Sequence, residues 1–151
     1  MVEVPDRDGG QISVLLIGMV AVTLSIIVAV VGVTAVQLGR VQLLDAADAA
    51  ALDASDALAQ EQLYGGGLGP GLPVSDATVV EAAAAHLDRR PRPSRVSAWT
   101  IAEGTGSPDG RTAVVALTGT AEIPMLSPLL GAFGGGVSIT VRSSARSELV
   151  E

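Results

Sequence analysis

Cysteine is absent from the 151 residues. Disulfide frameworks, thiolate metal sites and cysteine nucleophiles are thereby excluded. The single histidine, His86, rules out multi-histidine zinc or iron sites and leaves little for imidazole acid–base work. Lysine and asparagine are missing too, so all nine basic residues are arginine. That bias points to GC-rich coding, as in a high-GC bacterium, and without asparagine there is no N-glycosylation acceptor. Aromatics make up 2% of the chain, too few to line a large small-molecule pocket. Nine bases against sixteen acids give a net charge of −7 and a pI near 4.5. Nucleic-acid binding through a basic patch does not fit that balance. Nucleophile-elbow, HExxH, P-loop and GxGxxG patterns are missing as well. The expectation is a non-enzyme with no cofactor, no metal, no small-molecule substrate and no nucleic-acid partner.

What the chain does have is apolar mass. Hydrophobic residues reach 48%, largely Ala, Val and Leu. The 29 residues from Gln11 to Gly39 carry no charged side chain. A bilayer core of about 30 Å needs roughly 20 apolar residues in a helix, so this run spans a membrane with length to spare. A cleavable signal peptide has an apolar region of roughly 7–15 residues, about half this length. A buried soluble helix is excluded because so small a body cannot enclose so long an apolar rod. The run therefore reads as an anchor. Arg7 before it and Arg40 after it do not decide orientation. Most of the chain follows the run, so the expected topology is a cytoplasmic N-terminus and an extracytoplasmic body, single-pass in the cell membrane.

Small residues recur at seven-residue spacing within the run, at Gly18, Ser25, Gly32 and Gly39. Such a seam permits close approach of a second membrane helix, since packing drives association in lipid. Beyond it, Arg40 to Leu63 holds neither Pro nor Gly and is rich in helix formers. Leu44, Ala47, Ala51, Ala54 and Leu58 fall on one face at 3-4-3-4 spacing, opposite Asp45, Asp48, Asp53 and Asp56. The helix is thus expected to continue through the boundary as one rod from Ile12 to Leu63, about 78 Å long. Its alanine seam is expected to lie close against the sheet or a neighbour. The aspartates lack a further ligand to complete a cation shell and read as a solvated face. Gly65-Gly66-Gly67 and Pro70 stop the helix.

The remainder reads as follows: a lead at 1–10, membrane helix 11–39, helix continuation 40–64, a Gly/Pro linker at 65–74, and a body at 75–151. Ser75 can cap a short helix from Asp76 to Asp88, with His86 near its end where the dipole favours a cation. Three alternating strands follow, Val96–Glu103, Thr112–Ile123 and Val137–Arg146, the first two joined by a turn at Gly104–Gly110. Trp99 is expected in the core. The link Pro124–Gly136 carries Met125, Leu126, Leu129, Leu130 and Phe133. It serves either as a contact loop for a partner or the bilayer, or as a cap on the sheet–helix core. The fold class is α+β: a long N-terminal helix, a second short helix and a three-stranded antiparallel sheet packed on the long helix.

Arg7-Asp8-Gly9-Gly10, the apolar run, Gly39-Arg40 and then Leu43-Leu44-Asp45-Ala46-Ala47-Asp48-Ala49-Ala50-Ala51 form an ordered series. That series resembles the N-terminal signature of TadE/TadG-like Flp pilus assembly proteins. The resemblance covers about the first third of the chain. It implies a pilin-like envelope component of a tight-adherence or type IV-like secretion machine. Its partners would be other membrane subunits of that machine and the lipid bilayer. The related pseudopilins are cut after a glycine and carry Glu five residues into the mature chain. Here Gly10 stands at the cut, but the fifth residue after it is Leu15, so an uncut N-terminus is expected. A minor pseudopilin processed after Gly10 and a generic anchored envelope binding module are the alternatives.

Overall fold

The computed structural model describes residues 9–65, 74–123 and 136–146. Helix α1 runs unbroken over Gly9–Gly65, 57 residues or about 86 Å. No proline interrupts it, and three hydroxyls within the apolar run are bonded inside the helix. The hydroxyls of Thr23, Ser25 and Thr34 donate to the carbonyls of Met19, Ala21 and Val30 at 2.8–2.9 Å. Helix α2 spans Val74–Arg89. It starts two residues before the expected Asp76, which places Ser75 inside its first turn. There Asp76 accepts a hydrogen bond of 2.6 Å from the backbone N–H of Ser107, tying the start of α2 to the loop before the second strand.

Strands β1 (Val96–Ile101), β2 (Thr112–Glu122) and β3 (Gly136–Arg146) form an antiparallel meander in that order. β2 and β3 pair in unbroken register from Thr112↔Arg146 to Glu122↔Gly136. β1 is shorter and bulged between Val96 and Ala98. The period-2 alternation expected of β2 is present: Ala113, Val115, Leu117 and Ala121 are buried, and Ile123 continues their face just past the strand. Ala116 departs from it. It points to the far face yet is buried, and the turn at 102–107 lies alongside it, with Ala102 N–H donating to the Ala116 carbonyl at 2.8 Å. The connection from β1 to β2 uses Gly104 and Gly110 at φ of +85° and +69°. Asp109 closes it, accepting from the N–H groups of Arg111 and Thr112 and from the Thr112 hydroxyl. The Arg111 N–H, followed by the Thr112 hydroxyl and N–H, lowers the Asp109 carboxyl to about 2.

The sheet lays its apolar face on the outer half of α1, and α2 packs beside it. The core is Leu43, Ala46, Ala47, Ala50, Ala51, Ala54 and Leu58 from α1, Val79, Ala83 and Leu87 from α2, and Val96, Ala113, Val115, Leu117 and Val141 from the strands. The α1 contribution is almost all alanine, so the sheet approaches the helix backbone closely. Gly119 leaves room for Leu43, since a Cβ on that glycine would come within 3.0 Å of a Leu43 methyl. Trp99 sits at the rim of the core, half-buried and packed against it rather than inside it. The Gly/Pro linker, apart from its two ends, and the Met125–Phe133 segment lie outside the described residues.

Candidate functional site

Among the described residues, α1 is the element that most of the sequence-predicted site residues share. The helix has two unlike halves. From Gln11 to Val31 no side chain is buried, and Ile12, Leu15, Leu16, Ile17, Met19, Leu24, Ile26 and Ile27 stand outward around the whole circumference. By length and composition α1 can cross a membrane. The outer half is amphipathic and already carries the body.

The seven-residue stripe divides between these halves. Gly18 has open space where a Cβ would stand. Ser25 is exposed, its hydroxyl bonded within its own helix. Gly32 and Gly39 face the chain's own sheet instead. A Cβ on Gly32 would lie 3.5 Å from an Ile123 methyl, and one on Gly39 would lie 2.8 Å from the Ala121 Cβ. Ala35 between them is buried too. The lack of charge that joined these residues to the membrane run has a second cause: they are small so that β2 can approach.

On the outer seam, Ala47, Ala51, Ala54 and Leu58 are buried against this chain's own core. Leu44 is not in the seam, being 38% exposed. Leu43, Ala46 and Ala50 fill that side instead. The buried stripe is two residues wide because α2 and the sheet cover adjoining faces of α1, and a single 3-4 spacing traces only one of them.

The acidic face also divides. Arg90 Nη2 donates to Asp45 Oδ2 at 2.5 Å. His86 Nδ1 lies 2.7 Å from Asp53 Oδ2, with Arg89 Nη2 3.6 Å from the same oxygen. Asp48 and Asp56 are exposed. The partners are 45 and 33 positions apart, so sequence spacing could not reveal them. His86, Arg89 and Arg90, at and just past the end of α2, therefore fix α2 to α1. The Asp53–His86 pair lacks a nucleophile, since no hydroxyl is hydrogen-bonded to His86 among the described residues. Nor do three His, Asp or Glu side chains converge among those residues as a cation site would need.

The far face of the sheet is a polar surface, exposing Thr100, Ser138, Thr140, Arg142 and Ser144. Thr118 and Thr140 share a hydrogen bond across it at 2.8 Å. β3 is an edge strand of the sheet among the described residues.

Residues 10–60 match the family of putative Flp pilus-assembly TadE/G-like proteins. The matched segment covers the membrane-competent half of α1 and nearly all of the half that builds the core. No curated protein and no solved structure matches the chain.

Proposed function

Because a TadE/G-like Flp pilus-assembly segment lies on a helix able to cross a membrane, we propose that this protein is a single-pass, membrane-anchored structural component of a Flp-type pilus or type IV-like secretion machine. The observation that carries this reading is the coincidence of the matched segment with the whole functional length of α1. Its N-terminus faces the cytoplasm and its body stands outside. Its role is to hold a small α+β body at the membrane and to contact other membrane subunits of the machine, not to catalyse a reaction. The membrane contact uses the inner stripe, Gly18 and Ser25, where no described residue competes for the space at Gly18. The outer stripe and the alanine seam serve the chain's own fold.

The N-terminus remains uncut in this reading, because Leu15 replaces the Glu that processed pseudopilins carry. Intact mass of the membrane-extracted protein decides this, and a mature form starting at Gln11 would move the protein to the pseudopilin side. A C-terminal phosphatase fusion reports orientation, and an inactive fusion beside an active cytoplasmic reporter overturns it. The main test is loss of the gene, with expected loss of surface pili. It is paired with in-membrane crosslinking, where Gly18→Leu with Ser25→Leu should reduce partner capture. Interhelical contacts of this kind contribute roughly 1–2 kcal/mol at most. Losing about 1.4 kcal/mol lowers affinity about tenfold. Pili unaffected by the deletion would remove the assembly role.

A further inference from the structure

The body grips α1 further down than the uncharged run suggests. β2 descends antiparallel to the helix toward the anchor. Leu43 packs at Gly119, Gly39 at Ala121 and Gly32 at Ile123. Helix residues held under a folded sheet cannot also be surrounded by lipid. The free part of the helix is then Gln11–Val31, 21 residues. Its length is about 31 Å at 1.5 Å per residue, against a hydrocarbon core of about 30 Å. The charged groups follow the same boundary. Exposed Glu122 lies between the Gly39 and Gly32 levels, and its backbone N–H donates to the Arg95 carbonyl at 3.1 Å. Arg40 is exposed just above. Sinking the body until Gly39 reached lipid would submerge these charges, a far larger penalty than Val and Leu would return.

From the coincidence of these two boundaries we infer that the body is seated directly on the bilayer, with no spacer. The end of the sheet at Glu122, Gly136 and Val137 faces the lipid headgroup layer. The membrane-embedded segment is Gln11–Val31, and residues 32–39 form a packed collar above it. This rests on the reading that α1 spans a membrane.

Because the chain has no cysteine, single Ile27→Cys, Leu38→Cys and Val41→Cys variants give unique spin-label sites. All three side chains are exposed in the structure, so the body's packing is preserved. The full-length protein is placed at low density in phosphatidylcholine–phosphatidylglycerol vesicles. Label accessibility to oxygen, which concentrates in lipid, is compared with accessibility to a water-soluble nickel chelate. The label at 27 should favour oxygen, and those at 38 and 41 should favour nickel, with the ratio inverting between 27 and 38. Oxygen-favoured labels at both 27 and 38 would overturn the seat while leaving the anchor intact. Nickel-favoured labels at all three positions would overturn the anchor itself.

Discussion

The two halves of α1 share one backbone geometry, yet they are built for opposite surroundings. The inner half carries Ile, Leu, Val and Met on all sides. The outer half concentrates Ala on the faces that meet the sheet and α2, with Asp on the opposite face. In lipid, a large aliphatic side chain needs no protein neighbour. In the water-exposed body, apolar groups contribute only where they are covered, so the helix offers flat Ala surfaces and the strands supply the bulk. The same secondary structure is thus held by the solvent in one half and by tertiary contacts in the other.

The comparison breaks most sharply at equivalent leucines. Leu43→Ala removes one of the largest fully buried side chains and should destabilise the body by about 2–5 kcal/mol. Leu24→Ala, in the exposed inner half, should leave body stability unchanged. Denaturant unfolding in mild detergent, followed through Trp99 fluorescence, reads both. Equal effects would mean that the halves are not independent.

Overpacking gives the next largest effect. Ala50 is fully buried, and Ala50→Leu should cost about 1–3 kcal/mol. Ala21→Leu should insert and fold normally. Protease resistance of the body separates them, and a resistant Ala50→Leu body would place that face of α1 away from the core. A smaller effect is expected at the α1–α2 ion pairs. Arg90→Ala should lower stability by about 1 kcal/mol or less, since Asp45 is largely exposed. A double-mutant cycle with Asp45→Ala measures it, and a coupling well above that would show the pair to be effectively desolvated.

The smallest expected effect is a response to acid. No titratable side chain lies between Gln11 and Gly39, so acid leaves the charge of the membrane run unchanged. Asp109 has a folded-state carboxyl lowered from 3.8 to about 2. Its contribution is therefore fully present above pH 3.8 and is lost as pH falls toward 2. The stability gap between the native chain and Asp109→Ala should narrow over that window. A gap that stays constant would mean that the carboxylate does not hold the turn.

Much of this was legible in the sequence. The unbroken helix followed from the uncharged run and the lack of proline up to Gly65, and the meander from strict alternation in Thr112–Ile123. The seam was legible only in part, because alanine is too neutral to choose between adjacent faces, so Leu44 looked equivalent to Leu43. The role of Gly32 and Gly39 was hidden for a related reason. Absence of charge marks residues excluded from water, but does not say whether lipid or protein excludes them. Contacts such as Asp53–His86 join distant parts of the chain, and no local pattern records them.

The continuity of α1 across the boundary has a mechanical consequence. With no proline or linker between anchor and body, the helix acts as a stiff lever whose fulcrum is the membrane surface. Membrane helices tilt by about 20° on average. The segment from Gly32 to Leu58 rises about 39 Å at 1.5 Å per residue. A 20° rocking of the anchor would sweep the top of the body sideways by about 13 Å. Any neighbour that changes the anchor's tilt within the bilayer therefore moves the sheet, and any load on the sheet is felt as torque in the lipid.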